Sequence, residues 1–242
     1  MKRTRSLSVS ELHRSWLELV DTDGPFLSVP ALKRVWSQGM PQPQRDALAV
    51  LRDAKPAFEK AWENWDKRPD DEAALEFYRQ ERDSWVDVVL RDVIGWDSSY
   101  GTDIPDDVKP VRSPRHEVTV RPTGMMTHGP LTGALVLVID PVASLRDAPG
   151  DSWNASPIDR MGELLRANGV EIGIVTDGRW WALVSALSDT MLSSGIVDAQ
   201  TWIEEPETRN AFFALLARRR LVGGKESDRL PKIFAESVAA AE

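Results

Sequence analysis

Two short apolar runs that meet at an Asp-Gly pair leave a chain few ways to fold, and GVEIGIVTDGRWWALV (Gly169–Val184) is such a segment. VEIGIVT (Val170–Thr176) is rich in the β-branched residues that suit a pleated, buried surface. Asp177-Gly178 predicts a type I′ turn, and RWWALVSA returns as the hairpin partner. Upstream, Ser156 followed by Pro157 and Asp159 marks a helix start. Ile158, Met161 and Leu165 give that helix a buried face, and Asn168-Gly169 stops it. ALVLVID (Ala134–Asp140) is the nearly unbroken apolar run of a central strand. HEVTV (His116–Val120) alternates like a strand, PTGMMTHGPLTG reads as a turn, and a short strand is expected near Gly195–Val197.

The first hundred residues carry helical period instead. Ser8 and Glu11 have capping-box spacing ahead of Leu12, Trp16, Leu19 and Val20, and Asp21-Thr-Asp-Gly24 is read as the end of that helix. Ser28 caps a second helix that runs through Leu32, Val35 and Trp36 to Gly39. A third begins near Gln44, where Pro56 is expected to break or kink it before Phe58, Trp62 and Trp65. In the fourth, Leu75, Tyr78, Trp85, Val86, Val89, Leu90 and Val93 trace one apolar stripe that only Arg82 interrupts. Ten Trp against two Tyr fit a packed helical core or a docking surface.

The expected fold is an N-terminal helical bundle followed by a mixed sheet with flanking helices. Polar, proline-bearing WDSSYGTDIPDDVKPVRSPR (Trp96–Arg115) parts the two halves. This gives a helical subdomain over 1–97, a linker over 98–113, an α/β domain over 114–222 and the start of a helical connector over 223–242. Glu205-Pro206-Glu207 opens a helix through Phe212, Phe213, Leu215 and Leu216 that closes on Arg218-Arg219-Arg220. Beyond Gly223-Gly224, a last helix with Leu230, Ile233, Phe234 and Val238 runs to Glu242 without a cap, so the chain is expected to be part of something longer. Without cysteine, a secretory leader or an apolar run near the ~18 residues that span a bilayer, a cytoplasmic address and no membrane are expected.

Chemistry is harder to place. A net charge of −8 opposes nucleic-acid binding over the whole surface and leaves room for a local basic patch. His13, His116 and His128 are too few and too separated for a metal site, although His116 and His128 flank one expected hairpin. No phosphate-binding glycine loop and no GxSxG is present. The order strand, buried strand, helix, strand and hairpin matches a restriction-endonuclease-like (PD-(D/E)xK-type) core, in which carboxylates hold Mg²⁺ and a Lys polarises water. Near the end of the buried strand, at Val138–Pro141, no Lys is offered, so the core is read as degenerate. If it were a divergent nuclease, Glu117, Asp140 and Glu171 would be its carboxylates.

SPIDRMGELLRANGVEIGIVTDGRWWALV (Ser156–Val184), EEPETRNAFFALLARRRLVG (Glu204–Gly223), LPKIFAESVAAAE (Leu230–Glu242) and DTDGPFLSVPALKRVWSQGMP (Asp21–Pro41) carry a further likeness. The chain resembles the N-terminal region of large class I adenine-specific DNA methyltransferases of type IIG restriction-modification, BREX and DISARM phage-defence systems, DISARM-type members above all. The resemblance implies a nuclease-like accessory domain that binds DNA and partner subunits, with S-adenosylmethionine and N6-adenine methylation belonging to a following domain. This chain itself would need no cofactor and no metal. Candidate DNA contacts are Arg179, Trp180 and Trp181 on the hairpin, with Arg218, Arg219, Arg220 and Lys225 further on. Two other readings are an active Mg²⁺ nuclease and a protein-interaction module that docks through exposed Trp.

Overall fold

The computed structural model describes residues 6–187 and 191–241. Its N-terminal part is α1 (Val9–Leu17), β1 (Asp21–Asp23), α2 (Val29–Val35), α3 (Arg45–Asp66) and α4 (Glu72–Asp87). A π-helical stretch, Val88–Val93, continues α4. Then come β2 (Tyr100–Gly101), β3 (Val111–Arg112), β4 (Thr119–Val120), β5 (Gly124–His128) and β6 (Leu131–Val138). The remainder is α5 (Pro157–Asn168), β7 (Ile172–Thr176), β8 (Trp180–Ser185), β9 (Ser193–Asp198), α6 (Pro206–Leu215), α7 (Arg218–Leu221) and α8 (Leu230–Ala239).

Seven strands make one sheet in the order β1-β9-β8-β7-β6-β5-β2, and β3 pairs with β4 in a separate ribbon. Among the described residues only β6 and β7 run parallel, because α5 carries the chain from one end of the sheet back to the other. The period of two along each strand sorts side chains into two cores. Ala134, Val136, Ile172, Ile174, Trp181, Leu183 and Val197 face the N-terminal helices with α6 and α8. Leu135, Leu137, Val175, Ala182, Val184 and Ile196 face α5 and the β3–β4 ribbon. The chain is thus a three-layer α/β structure with a mostly antiparallel sheet.

Several expectations give way here. Asp21–Asp23 does not simply end a helix; it pairs with β9 as an edge strand. Pro56 does not break α3, which is continuous over 22 residues. Its ring sits on the exposed side, while Leu51, Lys55, Phe58 and Ala61 hold the helix from the buried side. HEVTV contributes only Thr119–Val120, and those residues pair with β3 outside the main sheet. The strand that pairs with β6 is instead Gly124–His128, inside the segment read as a turn.

The stretch expected to link two domains is built into the sheet. Tyr100–Gly101 pairs with β5, Val108 and Val111 pack beneath α5, and the Trp96 ring is fully buried with Nε1 donating to the Leu216 carbonyl at 2.7 Å. The main core draws on both sides of the proposed boundary, from Trp16 to Phe234. Residues after Gly223 belong to it too. Arg34 of α2 donates to Asp228, the Ser227 carbonyl and Glu236, while Leu230, Ile233 and Phe234 are fully buried. Arg218–Leu221 forms a short helix of its own after α6 rather than the end of α6.

Candidate functional site

The carboxyl ends of β6 and β7 are where a parallel pair opens a crevice as the chain departs for its crossover. Here that place is tightly organised. After β7, Asp177 is 1% exposed, and its Oδ1 accepts the N–H groups of Arg179 and Trp180 at 3.0 and 2.8 Å. Its Oδ2 accepts the Val142 N–H at 3.1 Å, which ties the loop after β6 to the turn after β7. The turn is docked on the helical layer as well. Tyr78 Oη donates to the Asp177 carbonyl, and Trp85 and Trp181 each donate Nε1 to the Gly178 carbonyl at 3.0 and 2.9 Å. A type I′ turn needs positive φ at both central residues. Only Gly178 has it, at 98°, so the type I′ expectation is replaced by a turn that the Asp177 carboxylate closes. Burial lifts the Asp177 carboxyl to about 6, against the three N–H donors.

Asp140, delivered just past the end of β6, is held by arginines of α4. Arg79 binds it with two hydrogen bonds, Nε to Oδ1 at 2.8 Å and Nη2 to Oδ2 at 2.6 Å. Arg82, 8% exposed, donates Nη1 to the Ile139 carbonyl at 2.7 Å and reaches Asp140 Oδ1 at 3.4 Å. The Arg79 bonds hold the Asp140 carboxyl below the usual carboxylate range. On the far side, Arg160 of α5 is buried and pairs with both oxygens of Asp151 at 2.8 and 2.6 Å. Its guanidinium also donates to the carbonyls of Trp153 and Ala155 and lies over the Trp153 ring, so it shapes the loop between β6 and α5.

Between these two clusters lies a cleft of about 610 Å³. Its floor is Leu137–Val142, and its walls are Thr119–Arg121 on one side and Pro149, Asp151, Pro157 and Arg160 on the other. The wall carrying Arg121 is anchored. Ser113 Oγ accepts the N–H groups of Glu117 and Val118, and Asn168 at the end of α5 exchanges two hydrogen bonds with the Lys109 backbone. Arg121 is exposed and has no hydrogen bond or ion pair among the described residues.

The carboxylates expected of a nuclease do not meet in this cleft. Val138 lies level with Thr176 in the parallel register, so Asp140 and Glu171 sit at opposite ends of β7, roughly 20 Å apart at ~3.3 Å per residue. Glu117 is exposed in the turn of the separate ribbon. With Asp140 already bound by two guanidinium groups, these three residues do not fit a Mg²⁺ ion. No group of three metal-ligating side chains occurs among the described residues.

The histidines have other work. His13 is buried, with Nε2 donating to the Trp36 carbonyl at 2.9 Å and Nδ1 accepting from Trp16 Nε1 at 3.3 Å. His116 and His128 do not share a hairpin: the first turns the β3–β4 ribbon and the second the β5–β6 hairpin, where Arg218 donates to its Nδ1 at 3.2 Å.

The expected DNA contacts are dispersed. Trp181 is fully buried in the main core, against Trp202 and Phe212. Arg220 is buried over the Trp36 ring and donates to the Asp228 carbonyl. Arg179 is sandwiched between the rings of Trp62 and Trp180, at 4.9 and 4.4 Å from their centroids, and pairs with Asp198 at 3.1 Å. Arg219 and Lys225 are exposed and Arg218 is half-buried, so a basic patch of three remains around α7. Seven of the ten Trp are buried and the other three half-buried, which removes the exposed Trp that a docking module would use.

Sequence reasoning missed Arg79, Arg121 and Arg160. The one available signal was Arg82, the charge interrupting the apolar stripe of α4. No family model, curated protein or solved structure matches this chain.

Proposed function

We propose that this chain is a catalytically silent, nuclease-like accessory domain of a DNA N6-adenine methyltransferase in bacterial phage defence, contributing to DNA or partner-subunit binding. The reading rests first on the resemblance carried by Ser156–Val184. The observation that supports silence is the state of Asp140: the acid at the end of the buried strand, where Mg²⁺ chemistry would start, is bound by Arg79 and Arg82. Cations in place of a metal neutralise the carboxylate without supplying a Lewis acid or a nucleophile. The DNA-holding part rests on Arg218, Arg219 and Lys225, whose phosphate contacts would be weak and salt-dependent. S-adenosylmethionine would be the business of a neighbouring domain.

Two measurements on the purified chain test this. With Mg²⁺ or Mn²⁺ it should leave supercoiled plasmid intact, and nicking that disappears in Asp140→Ala would establish the nuclease instead. A gel shift at ~50 mM salt should be present, fade by ~200 mM, and weaken in the double variant Arg219→Glu/Lys225→Glu. No shift at the lower salt would remove the DNA-holding part.

A further inference from the structure

The cleft at the end of β6 carries a charge balance that points outward. Of its lining side chains, Arg82, Arg121 and Arg160 are cationic and Asp140 and Asp151 anionic. Each carboxylate is already occupied: Asp140 by Arg79 and Arg82, and Asp151 by Arg160. Arg121 is left as the one lining charge without a partner among the described residues, at the rim of a basic cleft on an acidic protein. Next to it the surface is apolar and only half-buried: Val120, Val138, Ile139, Pro141 and Val142. A volume of about 610 Å³ falls in the range of small-molecule sites, and this half-buried apolar patch lies among the charged groups of the lining. The walls are preformed, since the Asp177–Val142 bond fixes the floor loop, the Arg160–Asp151 pair fixes one wall and Ser113 the other. Little backbone rearrangement would therefore oppose binding, and ordering the Arg121 side chain would be the main cost.

We propose that this cleft binds a small organic anion, a carboxylate, sulfonate or phosphate on an apolar body, with the anionic end on Arg121 and the body against Val120, Val138, Ile139 and Val142. Polymeric nucleic acid fits it poorly, because the cleft offers one unpaired cation rather than a track of them. The inference is independent of the methyltransferase reading and stands or falls separately from it.

The test uses the full chain and two probes. Anilinonaphthalene sulfonate, whose fluorescence rises on apolar surface, should bind saturably at one site. Phenyl phosphate should compete with it and shift the amide resonances of Val138–Val142 and Arg121 in a ¹⁵N–¹H spectrum. Arg121→Glu replaces the attracting charge at an exposed position, so the fold should survive, as circular dichroism will confirm, and affinity for both probes should fall by at least about tenfold. Lys33→Glu, an exposed charge on α2 across the sheet, should change neither. Equal affinities in wild type and Arg121→Glu, shifts elsewhere than the cleft, or no saturable binding of either probe would overturn the proposal.

Discussion

Asp177 is the residue on which the crevice is hung. Its carboxylate gathers three backbone N–H groups from two segments, yet burial outweighs them and sets its ionisation at about 6, well above the 3.8 of an exposed aspartate. Between about pH 4 and 6 the folded protein keeps a proton that the unfolded chain has released. The stabilisation from this proton is therefore complete below pH 4 and lost as pH rises through 6, by about 3 kcal/mol at ~1.4 kcal/mol per pH unit. Urea unfolding of wild type and Asp177→Asn at pH 4 and pH 7 measures it. The stability of wild type relative to the variant should drop by that amount between the two. A difference that does not move with pH would mean the carboxylate is ionised throughout, held so by its N–H donors. Asp140 and Asp151 act with the opposite sign. Hydrogen bonds from Arg79 and Arg160 lower both, so what they contribute is present at neutral pH and lost in acid.

Among the elements, the turn between β7 and β8 does more than reverse the chain. Gly178 has φ 98°, and a Cβ there would stand 2.8 Å from Phe58 Cε2 and 3.0 Å from Arg82 Cγ and Tyr78 Oη. The turn is thus one of the points where the sheet touches α3 and α4. Gly178→Ala should cost about 3 kcal/mol, combining left-handed strain with overpacking against side chains that have little room to yield. Gly129→Ala in the β5–β6 turn is the matched control: its φ is 56° and no atom lies within 4 Å of the added Cβ. It should cost only about 1 kcal/mol. Thermal unfolding of the pair separates the two terms, and equal losses would show that docking of the β7–β8 turn adds nothing. The same contrast between local rule and context explains α3. Pro56 withholds one N–H, but the apolar face around Leu51 and Phe58 keeps the helix in place.

At the scale of the whole molecule, one core joins the chain from α1 to α8. Trp85, Trp181, Trp202, Phe212 and Phe213 form a continuous aromatic cluster under the sheet, with neighbouring ring centroids between 5.1 and 6.1 Å apart. Phe26 and Phe234 meet edge-on at 5.5 Å, tying the segment before α2 to α8. Unfolding should accordingly be a single transition, with Trp fluorescence and far-ultraviolet circular dichroism coincident. Phe234→Ala should shift that transition by about 3–5 kcal/mol, as truncation of a fully buried aromatic does. Two separable transitions, with the N-terminal helices leaving first, would contradict a shared core. No helix among the described residues is long and apolar enough to cross a membrane.

The amino-acid sequence by itself determined what short-range physics determines. Ser8–Glu11 forms the capping box its spacing predicts, Ser156 with Pro157 starts a helix, Ala134–Leu137 is a central strand buried on both faces, and the period of two sends Trp180 and Trp181 to opposite sides of the sheet. These follow from hydrogen-bond spacing and from periods of 3.6 and 2, which a linear chain displays. Asp-Gly likewise marked the position of the turn, but not its type, because the three N–H donors on Asp177 include one from Val142, far away along the chain. Only the tertiary structure decided that Asp21–Asp23 and Tyr100–Gly101 are edge strands, since strands so short take their identity from a partner rather than from a pattern. It also decided the cleft. Arg79 meets Asp140, and Arg121 comes to line the same cleft as Val138, through the packing of distant segments. Such pairings depend on which surfaces the helices and the ribbon leave uncovered, and no local periodicity encodes that.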